Sequence, residues 1–452
     1  MIGFAVAAPL VSAFIVMLFR PLGVRRVARV VLTSLAAAVP LTLIGAVDRL
    51  SLIFAGLVSV LGLLTTIFST GLFSIDWGVG EVLWARKSVY FLLLGTFWSA
   101  MLLVVLASNF GLLWFGISAT TLATAFLVGF SGERTALEAA WKYLVLCSVG
   151  IGIALLGIVL LGRVSLAAGL DSSHALAWNA IIAQHGAVGA PLARLATAIM
   201  LVGFATKAGL VPMHAWLPDA HSKAPAPISG LLSGVLVSCS LYAIIRTSTV
   251  ATALGVGDTF GTLVMWFGAA SIAVAGALML VQRDLKRLLA YSTVEHAGIV
   301  ALALGFGGSL GTFAALLHVA AHAFSKSSAF FSAGLVQSER GTTELSALRG
   351  LWNSVGGRFL LGAMIALSGM PPFGLFVSEM LVVAAGVAAH QWVALAVGTV
   401  GIVMAFSALT RATIEIEGGL VRIGVRLSRL SIAAAAAALS GAVAVVVVPW
   451  IR

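Results

Sequence analysis

Apolar residues recur along this chain in long unbroken runs, with polar positions gathered into short stretches between them. Fourteen runs can be marked, near 3–20, 29–47, 51–70, 91–108, 111–130, 141–162, 194–216, 227–249, 259–281, 288–306, 309–336, 358–386, 391–410 and 430–450. Each approaches the roughly 20 residues that a helix needs to cross a bilayer. The runs are continuous rather than alternating, which predicts helices and not the strands of a membrane barrel. The expected fold class is therefore all-α and polytopic, with about 14 transmembrane helices.

Composition agrees with lipid as the solvent. Of the 452 residues 61% are apolar and only 9% charged, and the mean hydropathy is +1.13. A soluble domain carries about a quarter charged residues. The formal charge of +11 suggests nucleic acid only until its distribution is read. With connections numbered by the helices they join, the odd ones hold 19 of the 26 Lys and Arg, and the even ones with the C-terminal end hold 5. The other 2, Lys207 and Lys326, lie inside apolar runs. The positive-inside rule makes the odd connections cytoplasmic. Both termini are then expected on the outer, periplasmic side of a bacterial inner membrane, and no nucleic-acid partner is expected.

The first run is followed, not preceded, by Arg20, Arg25, Arg26 and Arg29, the reverse of a cleavable signal. Cys147 and Cys239 are the only cysteines, so neither a disulfide framework nor a metal-cluster motif is present. No cofactor is expected on this chain, and any redox centre belongs to another polypeptide. The longest connection, about 163–193, is too short and plain for a catalytic domain.

Two runs carry internal breaks. One is Thr206-Lys207-Ala208-Gly209-Leu210-Val211-Pro212-Met213-His214; the other is Ser368-Gly369-Met370-Pro371-Pro372-Phe373-Gly374. Proline removes a helical hydrogen bond and clashes with the preceding turn. In hydrocarbon the freed carbonyls need partners, so such breaks persist inside protein or beside a wet cavity. Broken helices in two halves of a chain point to inverted repeats around a midplane site. A simple packing kink is the alternative.

Charge near the bilayer centre costs at least ~2.5–3.5 kcal/mol, and few residues here incur it. Lys207 stands just before the first break. His318, His322 and Lys326 share a face of the eleventh predicted helix at spacings of four, which leaves the opposite face to meet lipid. Glu379 follows the second break, and Glu295-His296 lie inside the tenth helix. Singly, each histidine could be a satisfied core residue. The spacing also permits zinc, but no third ligand is evident, and metal is not expected. As a set they suit a chain of titratable groups with bridging water, since histidine titrates near neutrality and a desolvated lysine can exchange protons. The run Gln282-Arg283-Asp284-Leu285-Lys286-Arg287 reads first as a positive-inside anchor, and Glu133, Arg134 and Glu138 as a solvated helix entry.

These motifs resemble a known family. Lys207 through His214-Ala215-Trp216-Leu217-Pro218-Asp219-Ala220-His221, then Ala224-Pro225-Ala226-Pro227, looks like its seventh-to-eighth-helix signature. Arg283-Asp284-Leu285-Lys286-Arg287, His318-x-x-x-His322-x-x-x-Lys326 and Pro371-Pro372-Phe373-Gly374-x-Phe376-x-Ser378-Glu379 complete it. The family is that of the antiporter-like subunits of complex I, of multi-subunit sodium/proton antiporters and of group 4 membrane-bound hydrogenases. Ala139-Ala140-Trp141-Lys142-Tyr143-Leu144 and Ser292-Thr293-Val294-Glu295-His296 look most like component F of hydrogenase-4.

The resemblance implies fourteen helices, with broken helices 7 and 12. It divides the chain into N-terminal helices 1–3 (1–90), a first inverted five-helix repeat (91–250, helices 4–8), a second (259–414, helices 9–13) and helix 14 (429–452). Lys207 would be the central lysine of the first half-channel. His318, His322 and Lys326 would form the connecting axis, with Glu295 and His296 beside it, and Glu379 the charged residue of the second broken helix. The family's long lateral helix is not expected, as in the shorter members. Expected partners are other membrane-arm subunits, peripheral redox subunits, lipid, and H⁺ or Na⁺ as the ion moved. Two positions depart from the pattern: Ser118 stands where the fifth helix usually carries a glutamate, and Ser238 where the eighth often carries lysine or histidine. Glu295 is the candidate substitute acid for Lys207. Three functions stay open: a proton-translocating subunit of a redox-driven complex, a non-pumping scaffold derived from one, and a component of a non-redox cation antiporter or inorganic-carbon uptake complex.

Overall fold

The computed structural model describes residues 2–17, 22–73, 81–184, 190–418 and 428–446. Their regular structure is helical. The chain opens with α1 (Ile2–Met17), α2 (Leu22–Ala38), α3 (Arg49–Leu72), α4 (Glu81–Val105), α5 (Phe110–Val128) and α6 (Arg134–Ala167). It continues through α7 (Trp178–Ala183), α8 (Ala190–Ala208), α9 (Trp216–Lys223), α10 (Ala226–Leu231) and α11 (Val237–Ala253). It ends with α12 (Gly257–Met279), α13 (Leu285–Phe306), α14 (Gly308–Arg340), α15 (Val355–Leu367), α16 (Gly374–Ala388), α17 (Trp392–Glu417) and α18 (Arg429–Ala444). Among the described residues 9 helices are long and apolar enough to span a membrane, and shorter apolar helices accompany them. The chain is a multi-pass membrane protein.

The two expected breaks are real. Helix α8 stops at Ala208, Gly209 turns left-handed at φ +72°, and Val211–Pro212 is cis. Helix α15 stops at Leu367, Gly369 turns at φ +65°, and Pro371–Pro372 is cis. A third irregularity has no proline behind it: a π turn at Leu232–Leu236 joins α10 to α11. Ser238, one turn on, donates its hydroxyl to Gly234 O at 2.8 Å, inside its own helix.

Small residues set the helix spacing, as is usual where lipid gives no hydrophobic drive to association. The α6–α8 contact shows it. A Cβ on Gly157 would lie 2.7 Å from Met200 N and 2.8 Å from Ala196 O, and one on Gly203 would lie 2.6 Å from Ala154 Cα.

One expectation holds and two need correction. The solvated helix entry is as expected: α6 begins at Arg134 after Glu133, and Lys142 pairs with Glu138 at 2.7 Å on its exposed first turns. The 163–193 connection is not plain: it holds α7, whose buried Trp178 meets Phe110 edge-on at 5.6 Å. Helix α14 has no lipid face over 314–336. It packs among α3, α10, α13, α15, α16 and α18, and its exposed positions lie near its two ends. Ser327 on the face opposite the histidines is buried too, and neighbours rather than lipid cover it.

At the sparsely charged end of the bundle, Asp48 caps α3 by accepting from Ser51 N at 3.1 Å. Arg246 bridges both Asp48 oxygens at 2.6 and 2.5 Å and lies 4.8 Å over the Trp178 ring, tying α3, α7 and α11 together. Partial burial opposes the Asp48 carboxylate, but the Arg246 guanidinium and Ser51 outweigh it and hold its pKa below the usual value. The sign follows: this stabilisation is complete above ~4, the unfolded value, and is lost as pH falls through the lower folded value. Asp48 is nearly half exposed, so solvent screening keeps the effect under ~1 kcal/mol. Thermal melts against pH should show wild type above Asp48→Asn at neutral pH, with the two curves converging in acid.

Candidate functional site

Lys207, in the last turn of α8, is fully buried, and among the described residues no carboxylate pairs with its ammonium. Its Nζ donates to Thr121 Oγ1 at 2.8 Å and to Tyr143 OH at 2.6 Å, and Tyr143 OH lies 2.5 Å from Thr124 Oγ1. The Tyr143 ring stands 4.6 Å from Nζ and the Trp216 ring 6.0 Å, so π faces complete its surroundings. Cys147 and Cys239, both buried thiols, lie within reach of its charge. Ser118 does not meet it. That hydroxyl is half-buried and bonds Trp114 O at 2.9 Å in its own helix, so Thr121, one turn later on α5, is the fifth-helix partner.

The second group centres on α14. Lys326, fully buried, donates to Leu289 O at 3.0 Å and makes a short bond with Ser292 Oγ, both on α13. His318 and His322 stack with ring centroids 6.4 Å apart, and His296 of α13 stands 5.2 Å from each. A bonded line runs through them: His296 Nδ1 to His318 Nε2 at 3.1 Å, then His318 Nδ1 to Ser378 Oγ at 2.9 Å. Glu295 Oε2 lies 3.5 Å from His296 Nε2.

Glu295 interacts electrostatically with Lys326 and Glu379 rather than with Lys207. It is therefore not the substitute acid for the first lysine. Consecutive residues on α13 point it toward the second half. Glu379, 8% exposed, sets its carboxylate against Gly369, where a Cβ would need the same space. The left-handed turn of the second break thus also makes room for the acid one helix away.

Lys286 departs from its expectation as an anchor. It is buried, with Nζ on Ala224 O at 2.6 Å, while Arg287 reaches Asp219 at 3.1 Å and Asp284 caps α13 through Arg287 N at 2.8 Å. Leu289, which holds Lys326, is less than one turn further along α13. Above Lys286 a cavity of about 600 Å³ opens at the basic end, lined by Glu133, Lys223, Asp284, Lys286, Arg287 and Gln337 among others.

Thr121, Tyr143, Ser292 and Ser378 were not marked as site residues by the sequence, since buried hydroxyls carry no charge to betray them. Tyr143, Ser292 and Ser378 each lie in a motif already quoted, which is the available signal.

A bundle of apolar helices that encloses lysines, histidines and carboxylates in bonded lines defines an antiporter-like membrane subunit. The pattern of the NADH:quinone oxidoreductase/Mrp antiporter transmembrane family matches residues 107–405. The chain belongs to that family. It is 35% identical over 378 residues to the hydrogenase-4 component F homolog of Methylacidiphilum infernorum, covering 82% of this chain and 79% of that one. It is 33% identical over 284 residues to NADH-quinone oxidoreductase subunit N of Desulforudis audaxviator, covering 62% of this chain and 54% of that relative. Among solved structures, a chain of the archaeal membrane-bound sulfane sulfur reductase superposes with a TM-score of 0.86 at 22% identity, over 99% of this chain and 94% of its own. A chain of respiratory complex I from Thermus thermophilus gives 0.78 at 23%, over 98% and 97%. At such identities the likeness is one of fold.

Proposed function

We propose that this chain is a proton-translocating subunit of a redox-driven membrane complex, complex I-like or hydrogenase-4-like, with the redox chemistry on partner subunits. The observation that carries the reading is two bonded groups gathered on α13, α14 and α16: Lys326 on Ser292 and Leu289 O, and the line His296, His318 and Ser378, with Glu295 beside His296. Buried ionisable groups in a membrane are costly and mark ion paths. Protons would enter from the cavity at the basic end, pass Lys286 to Lys326, cross the histidines and leave by Glu379. On this reading the short and long helices together make fourteen spans in two inverted five-helix repeats, 91–250 and 259–414. The basic end faces the cytoplasm of a bacterial cell and both termini face outward.

One observation favours a second reading, a scaffold whose first half is closed. Lys207 is held by hydroxyls and aromatic rings, and among the described residues no acid pairs with it. The test is proton uptake by proteoliposomes holding the whole purified complex during electron transfer, wild type beside Thr121→Glu, which places an acid at the position that bonds Lys207. Wild-type uptake that a protonophore abolishes is the expected result. Absent wild-type uptake, gained in Thr121→Glu, would replace the transport reading with the scaffold.

A further inference from the structure

The cavity above Lys286 is large for a way in for protons. It holds about 600 Å³, within the roughly 300–1,000 Å³ of small-molecule sites. Cations wall it from two elements. Lys223, in the last turn of α9, is exposed. Lys286 and Arg287 lie in the first turn of α13, and Lys286, only 3% exposed, interacts electrostatically with Lys223. An ammonium carries three N–H donors. Among the described residues this one makes a single hydrogen bond, to Ala224 O at 2.6 Å.

The nearby acids are largely spent elsewhere. Asp284 accepts from Arg287 N at 2.8 Å with one oxygen and from the Thr343 hydroxyl with the other. Asp219 is shared between Arg287 at 3.1 Å and Lys142 at 3.4 Å. Glu133, also on the wall, is exposed. Two further cations hold the backbone of the wall. Lys87 Nζ donates to Phe73 O at 3.0 Å, and Arg86 donates to Phe130 O at 2.7 Å and Ser131 O at 2.9 Å. Around this space Arg86, Lys87, Lys223, Lys286 and Arg287 outnumber Glu133, Asp219 and Asp284, so the field inside is positive.

We propose that this cavity binds a phosphate group, brought either by an anionic lipid or by a soluble phosphate compound. Phosphate oxygens accept hydrogen bonds, which matches the ammonium donors of Lys286 and Lys223. Lysine supplies a point charge and Arg287 a planar fork, the two modes by which phosphate is held. A halide would leave most of the space unused, while the Phe73 and Phe130 rings offer the organic part of the ligand an apolar wall.

Binding is read directly on the whole purified complex, so the outcome stands apart from proton transport. Equilibrium dialysis with radiolabelled pyrophosphate tests the soluble source. Native mass spectrometry with phosphatidylglycerol, beside diacylglycerol that lacks the phosphate, tests the lipid source. At least one of the two phosphate probes should bind saturably. Lys286→Gln and Lys223→Gln should each weaken that binding about tenfold or more, the scale of one charge-assisted hydrogen bond. Glutamine at 286 keeps an N–H for Ala224 O. Pyrophosphate binding assigns the site to a soluble compound, and phosphatidylglycerol held above diacylglycerol assigns it to a lipid. Binding of neither probe overturns the site, as does binding that either variant leaves unchanged. Where Lys286→Gln does not assemble, the exposed Lys223→Gln decides.

Discussion

Replacing Lys326 with alanine should cut proton uptake about a hundredfold or more, within the range expected for a single acid–base group, while the complex remains assembled. The ammonium stands one turn after His322 on α14, and its hydrogen bonds go to Leu289 O and Ser292 Oγ on the neighbouring helix. Without it, Ser292 keeps its bond to Leu289 O at 3.1 Å and that carbonyl stays within α13, so the packing loses little. On the proposed path the group between Lys286 and the histidines is then missing. Lys326→Met keeps the apolar stem and should fall equally, which separates loss of charge from loss of bulk. Normal uptake in both variants, from assembled complex, would defeat the assignment.

Gly203→Val should destabilise the chain by about 3 kcal/mol or more, at or above the upper end for overpacked cores, because what it meets is backbone. A Cβ there would lie 2.6 Å from Ala154 Cα, and α6 can yield only by moving away from α8. Lys207 is one turn further along α8 and bonds Tyr143 of α6, so the same displacement pulls the first lysine from its partner. Gly203→Ala should show a smaller loss in the same direction. Thermal unfolding of the detergent-solubilised complex measures both; a valine variant that melts like wild type would mean the two helices are not held at this spacing.

Much of this site was legible in the sequence, and for one reason: charge inside an apolar run is expensive enough to stand out. Lys207, Lys326, Glu295 and Glu379 were visible that way, and the spacing of four placed His318 and His322 with Lys326. The prolines at 212, 371 and 372 marked both breaks. What escaped was whatever depends on a neighbour's position. Thr121 and Tyr143 are ordinary hydroxyls until α5 and α6 bring them to Lys207. Lys286 sits in a basic run whose plain meaning is an anchor, and only the fold shows its side chain turned inward to Ala224. Glu295 was visible as a costly acid, but the choice between Lys207 and Lys326 as its partner is a matter of which face of α13 meets which helix. The burial of α14 on every side was hidden because serines beside alanines read as lipid-tolerant.

The two thiols near Lys207 give the first half of the molecule a built-in gauge. Cys147 lies one turn after Tyr143 on α6 and Cys239 lies on α11, both buried and both in the lysine's field. The S–H stretching vibration falls in a spectral window left clear by other protein groups, and its frequency follows local field and hydrogen bonding. Arrival or departure of charge at Lys207 would therefore be written into infrared difference spectra of the unlabelled protein. The gauge is resolved into two vantage points by Cys147→Ser and Cys239→Ser, and it needs no probe carried into the membrane.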